Sequence, residues 1–178
     1  MLEIVENAWY FAAHLSSESN RGCAIVAASL LDVSLEELLE SRFPGHSKDL
    51  FGNNDPLGTF SAKIRMARAL SIVNSAECFE LNTIRKIRNR FAHELDNGDW
   101  SKSPIVDWVH LLRAPKALGF EFDDRKVPLQ EPPERWTFQM SVACLMLALK
   151  FRTTQLVAAE AQKVQFLISD EAAMRDDV

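Results

Sequence analysis

Arginine, asparagine and histidine occur close together on one predicted helix, and these residue types can act together on a phosphodiester. Arg88, Asn89 and His93 lie within a single short stretch of the chain. An imidazole that titrates near neutral pH can move a proton to or from a ribose hydroxyl, while a guanidinium binds the phosphate as its charge increases. Asn89 precedes His93 by one helical turn and could orient its ring. The three residues are therefore candidate catalytic residues of a metal-independent ribonuclease.

The spacing of these residues leaves a structural alternative open. On a straight helix Arg88 and His93 differ by about 140°, so they meet only through the long Arg side chain, at a helix end, or in a dimer that supplies the second set. In the alternative, Arg85, Lys86, Arg88 and Arg90 form a solvated basic face, and His93 bonds to a nearby backbone group or carboxylate. Spacing alone favours the structural alternative, because short patterns recur by chance.

An apolar stripe predicts the helix that carries these residues. Ile84, Ile87, Phe91 and Leu95 recur at helical spacing and should pack inward, which places His93 on roughly the opposite side. Ser75 is the predicted cap of this helix, which should end near Leu95.

Helical spacing also predicts two helices before the loop at residues 46–59. The first ends near Ser16–Ser17, and the second runs from Arg21 to about Phe43 with Ser19 or Asn20 as its cap. The predicted apolar face of the first consists of Leu2, Val5, Trp9, Ala12 and Leu15. In the second, the predicted inward residues are Ala24, Ala27, Ala28, Leu31, Leu35, Leu38 and Leu39, and the predicted solvated residues are Asp32, Glu36, Glu37 and Glu40.

Turn-forming residues between 46 and 59 predict a structured loop in which Asp55, Pro56, Leu57 and Gly58 act as a brace. Phe51, Leu57 and Phe60 should attach this loop to the core. A third helix is predicted from Thr59 or Ser61 to Val73, with Phe60, Ile64, Ala67 and Leu70 inward and Lys63, Arg65 and Arg68 forming a basic patch.

The last third of the chain predicts a short helix, an irregular region and a long helix. Ser103 is the predicted cap and Pro104 the first residue of a helix that includes Leu112. Residues 114–135 are predicted to be irregular, with an extended piece at 119–122. The final helix should run from Pro133 or Glu134 to about Ile168; its apolar run is too short for a membrane span, which favours the centre of a bundle or a dimer surface.

Length and composition fit one domain, and the helical periodicity predicts an all-α bundle of about five to seven helices over residues 1–168, followed by an acidic tail at 169–178. The 178 residues are 47% hydrophobic and 25% charged, with a net charge of -5. This charge argues against broad attraction to nucleic acid or to an anionic membrane. The acidic N-terminus lacks a secretory signal, and three isolated cysteines suggest buried thiols, so we expect a cytoplasmic protein.

The remaining residues indicate no metal site and no cofactor. His14, His46 and His110 are scattered, without acidic or cysteine partners at ligand spacing. The loop at 52–58 lacks the Lys-Ser/Thr of a phosphate-binding loop.

Several stretches of the sequence resemble the mannitol operon repressor family. They are residues 21–31 (RGCAIVAASLL), 54–64 (NDPLGTFSAKI), 69–73 (ALSIV) and 84–93 (IRKIRNRFAH). The resemblance covers about Ser19 to Leu112, and the Arg-Asn-x-x-x-His pattern is also similar to that of the HEPN superfamily, whose ribonuclease members carry Arg and His on a helix at a dimer interface.

The resemblance implies an all-helical, transcription-linked regulator. Because the chain is acidic and shows no helix-turn-helix, action through a protein partner is favoured over direct DNA binding, and a homodimer is expected. Asp55, Pro56, Leu57, Gly58, Lys63 and Arg85 are the candidate binding residues. The alternative is a HEPN-type endoribonuclease that acts on RNA with Arg88, Asn89 and His93.

Overall fold

The protein is an all-α bundle in a computed structural model that describes residues 10–11, 13–43, 49–52, 54–93, 98–117 and 133–173. Residues 10–11 and 13–16 are helical and precede six helices. These are α1 (Asn20–Glu40), α2 (Phe60–Ala69), α3 (Ser75–His93), α4 (Ile105–Val109), α5 (Ala114–Ala117) and α6 (Pro133–Ala173). No strand occurs among the described residues, so the predicted fold class is confirmed. Leu2, Val5, Trp9, Ala12 and the predicted extended piece at 119–122 lie outside these residues.

Helix α1 is central in the bundle, where it packs against α2, α3 and α6. Ser19 caps it by accepting a hydrogen bond from the Gly22 N–H, at 3.0 Å, as predicted. All seven residues predicted to face inward are buried. The small residues Ala24, Ala27 and Ala28 allow neighbouring helices to approach closely.

The turn between α2 and α3 differs from its prediction. Helix α2 ends at Ala69 instead of Val73, and Leu70, which was predicted to face inward, is 43% exposed. Ser71 has a positive φ of 56°, a left-handed conformation that ends the helix. The periodicity continued through Leu70, but it carries no information about this backbone reversal.

Asn74, and not the predicted Ser75, caps helix α3. Its Oδ1 accepts the Glu77 N–H at 3.0 Å, and its own N–H donates to Glu77 Oε2 at 2.9 Å. This reciprocal pair is a capping box, which gives a hydrogen-bond acceptor to the backbone N–H of Asn74 and to that of Glu77. Downstream on α3, Ile84, Ile87 and Phe91 are fully buried as predicted, whereas Leu95 lies outside the described residues.

An aromatic cluster joins α3 to α6. Trp100 lies between Phe91 and Phe138, with ring centroids 4.4 and 4.9 Å apart. Its indole N–H donates to Asn20 Oδ1 at 3.1 Å, so the buried polar end of the ring is satisfied.

The helices after residue 100 depart from their predicted bounds. Pro104 occupies the cap position of α4, and the Ser103 hydroxyl donates to Asp107 Oδ2 instead of capping the helix. Helix α4 ends at Val109, before Leu112. Helix α5 lies within the region predicted to be irregular, and α6 continues to Ala173, past the predicted end at Ile168 and into the predicted tail.

The first half of α6 is a core helix, with Phe138, Val142 and Leu149 in the main cluster of buried residues. By length and composition alone, Pro133–Ala158 is long and apolar enough to cross a membrane, although its apolar run was predicted to be too short for a membrane span. A core helix of a bundle can have the same length and composition.

Candidate functional site

Residues from two of the sequence stretches that carry the resemblance, 54–64 and 84–93, line one surface cleft, which we call the polar cleft. It has a volume of about 320 Å³ and lies between the loop before α2, the start of α2, α1 and the middle of α3. Its lining residues are Asp32, Gly58, Thr59, Phe60, Ser61, Arg85, Arg88 and Asn89. The fold therefore brings together two predicted groups of site residues that are far apart in the sequence.

The loop before α2 is held by hydrogen bonds around Asp55. Asp55 Oδ2 accepts the Gly52 N–H at 2.8 Å, and the Gly58 N–H donates to the Asp55 carbonyl at 3.0 Å. Leu57 is buried, and its N–H donates to the Leu50 carbonyl at 2.8 Å. Pro56 is exposed. Asp55 and Leu57 therefore fix the loop that presents Gly58 to the cleft.

Two half-buried arginines form the positive wall of the polar cleft. Arg88 Nη1 donates to Asn89 Oδ1 at 3.0 Å, and Arg85 Nη2 donates to Asn82 Oδ1 at 3.4 Å. The Nε of each guanidinium is buried and has no hydrogen-bond partner among the described residues. Because guanidinium is a planar donor that binds carboxylate or phosphate through two bonds, this wall is suited to an anionic group.

The start of helix α2 supplies further donors. Thr59 caps α2, its hydroxyl accepting the Ala62 N–H at 3.2 Å. Phe60 and Ser61 are the first residues of the helix and line the cleft, and first-turn N–H groups have no intrahelical acceptor. These groups add to the positive potential produced by Arg85 and Arg88.

Lys63 does not belong to an open basic patch, which corrects its predicted role. The side chain is buried and forms ion pairs with Asp32 Oδ1, at 2.7 Å, and with Glu36. Burial acts to lower the pKa of Lys63, but the hydrogen bonds and charges of the two carboxylates outweigh it and raise the pKa. Asp32 and Glu36 are accordingly half-buried instead of fully solvated.

His93 lies apart from the polar cleft. Its side chain is exposed at the last residue of α3, as the predicted position opposite the apolar stripe implies, and it does not line the cleft that contains Arg88 and Asn89. The fold of one chain thus brings Arg88 and Asn89 together in the cleft but leaves His93, the candidate proton-transfer residue, outside it.

The cysteine, histidine and acidic side chains of the described residues are not grouped as metal ligands. Cys23, Cys78 and Cys144 are free thiols, the first and last buried as predicted and Cys78 half-buried. Within the described part of the chain, no group of three or more His, Cys, Asp or Glu residues is arranged to hold a metal ion.

Comparison of the chain with protein-family models, curated proteins and solved structures found no match.

Proposed function

We propose that the chain is a transcription-linked regulatory protein, resembling the mannitol operon repressor family, that acts by binding an acidic segment of a protein partner in the polar cleft. The observation that supports this proposal is the convergence of Gly58, Thr59 and Ser61 with Arg85 and Arg88. These two groups come from two separate sequence stretches that carry the resemblance, 54–64 and 84–93. A shared binding surface would explain why both stretches resemble the family.

The charges around the cleft favour a local anionic contact. Asp32 is the acidic residue in the lining, and it is paired with Lys63. Arg85 and Arg88 therefore leave a positive surplus beside the first N–H groups of α2. The net charge of -5 disfavours a long polyanion such as DNA, but it does not prevent binding of one carboxylate or a short acidic segment.

A complementation experiment tests this proposal. A strain that lacks the gene would receive the wild type, Arg88→Ala or Lys86→Ala, and transcripts of the mannitol transport operon would be measured. Lys86 is exposed on the same helix and does not line the cleft, which makes it the matched control. We expect the wild type and Lys86→Ala to restore regulation and Arg88→Ala to lose it while its helical circular dichroism and melting temperature are kept. Full restoration by a folded Arg88→Ala would contradict the proposal.

The endoribonuclease alternative has a specific structural requirement. Since His93 is exposed outside the cleft, a second copy of the chain would have to bring His93 close to Arg88. RNA cleavage in the presence of a chelator, compared between the wild type and His93→Ala, separates the two functions. Metal-independent cleavage that is lost in His93→Ala would favour the enzyme, and no cleavage by either protein would favour the regulator.

A further inference from the structure

A second cavity lies on another side of α3, between α3, α5 and α6. Its volume is about 270 Å³ and it is open to solvent. Much of its wall is apolar, from Ala76, Ala114, Leu145 and Ala148, with the Cys144 thiol beside them. We call it the Glu80 cavity, after the buried carboxylate among its lining residues.

Glu80 uses only part of its capacity to accept hydrogen bonds. The side chain is 4% exposed, and Oε1 accepts the backbone N–H of Arg113 at the start of the turn into α5. Oε2 is buried and has no hydrogen-bond partner among the described residues. A buried carboxylate oxygen without a hydrogen-bond donor raises the free energy of the folded state, so binding of a ligand that supplies a donor is favourable.

The other groups around the cavity do not satisfy this oxygen. Glu77, the second carboxylate in the lining, is paired with Arg152 and with the Asn74 N–H. Burial raises the pKa of Glu80, although the backbone donors of Arg113 and Ala114 and the positive charge of Arg113 oppose the shift. Burial, together with the negative charge of Glu80, raises the pKa of Cys144 to about 12, so the thiol stays neutral at pH 7.

We propose that the Glu80 cavity binds a small amphipathic amine, whose alkyl or aryl body packs against Leu145 and Ala148 and whose ammonium group donates to Glu80 Oε2. An anionic ligand would be repelled by Glu80, and a purely apolar ligand would leave Oε2 without a donor. A cavity of about 150 Å³ holds benzene, so a cavity of this volume suits a ligand of roughly ten non-hydrogen atoms. This binding is independent of the polar cleft and of the proposed regulatory function.

Titration of the full chain with hexylamine, hexanol and hexanoate tests the proposal. Two-dimensional ¹H–¹⁵N NMR spectra would be recorded at pH 7 at each ligand concentration. We expect saturable shifts with hexylamine that are largest at the amides of Arg113 and Ala114, which flank Glu80. Hexanol should bind about tenfold more weakly, because it lacks the charged donor, and hexanoate should not bind.

Two variants assign the binding to the cavity. Glu80→Gln keeps the size of the side chain and removes its charge, so it should lower hexylamine affinity about tenfold and leave hexanol affinity nearly unchanged. Ala148→Leu should fill the cavity and weaken both ligands, while the exposed Lys86→Ala serves as the unchanged control. If Glu80→Gln does not fold, the comparison of the three ligands on the wild type still decides. No saturable shift with hexylamine at millimolar concentration, or equal affinities for hexylamine and hexanol, would overturn the proposal.

Discussion

The polar cleft and the Glu80 cavity both lie at the start of a helix, but the buried charge beside the first is paired with opposite charges, whereas the buried carboxylate in the second is only partly hydrogen-bonded. Thr59, the cap of α2, lines the first, and Asn74, the cap of α3, lines the second. Beside the polar cleft, Lys63 is compensated by Asp32 and Glu36. In the cavity, Glu80 has one oxygen without a partner. The ion pairs of Lys63 stabilise the contact between α1 and α2 without a ligand. Glu80 Oε2, in contrast, is a buried acceptor to which a ligand could donate a hydrogen bond.

Removing the compensated charge should have the largest effect. In Lys63→Met the apolar stem is kept, but Asp32 and Glu36 face each other without their cation. Because both carboxylates are about two-thirds or more buried, we expect a loss of roughly 2 kcal/mol in the free energy of unfolding. Urea denaturation measures it, with the exposed Lys86→Met as the control. A change below about 0.5 kcal/mol would show that the ion pairs contribute little.

The two helix caps should show an intermediate effect. Asn74→Ala removes the bond from the Glu77 N–H to Asn74 Oδ1 but keeps the backbone N–H that donates to Glu77, and Thr59→Ala removes the bond from the Ala62 N–H to the Thr59 hydroxyl. Each change should therefore destabilise the protein by about 1 kcal/mol. Thermal unfolding followed by circular dichroism gives both values. Ser29→Ala, at an exposed position within α1, provides the baseline. If neither variant changes the free energy of unfolding, water molecules satisfy the N–H groups at these helix starts as well as the cap side chains do.

The smallest effect concerns the pH dependence caused by Glu80. Its pKa is raised in the folded state above the ordinary value of 4.5, so its contribution to stability is fully present below that value and is lost as pH rises through the folded pKa. Glu77, Arg113 and Cys144 are the other titratable groups around the cavity and are unchanged in Glu80→Gln. We expect the free energy of unfolding to fall less in the variant than in the wild type between about pH 4 and pH 8. Parallel pH profiles would contradict the assignment to Glu80.

Much of the fold follows from apolar spacing, because burial is periodic on a helix. All seven inward residues of α1 and three on α3, Ile84, Ile87 and Phe91, were predicted in this way. Two of the failures lie where the backbone changes direction, between α2 and α3. Ser71 adopts a left-handed conformation and Asn74, not Ser75, caps α3, and neither feature has a periodic signal.

The site was predictable only in part. Gly58, Arg85, Arg88 and Asn89 were predicted and line one cleft. The other lining residues were not predicted as site residues: Asp32, Thr59, Phe60 and Ser61. Lys63 and Glu80 are buried, and each lies at helical spacing from an inward apolar residue, Phe60 and Ile84 respectively. This spacing could have predicted their burial. Their partners could not be inferred, since Asp32 and Arg113 lie 31 and 33 residues away in the sequence.

The side-chain amide of Asn20 has a consequence for the order of folding. It donates to the Gly98 carbonyl and accepts from Trp100 and Arg135, contacts that span 78, 80 and 115 residues. The turn between α2 and α3 uses contacts only a few residues apart, such as Ile72 N–H to the Ala67 carbonyl. Since closing long loops loses more chain entropy, local helical turns should form first and the contacts of Asn20 last. In stopped-flow experiments, burial of Trp100 should therefore lag behind the gain of helix. Formation of the long-range contacts of the Asn20 amide would then limit the folding rate of the bundle.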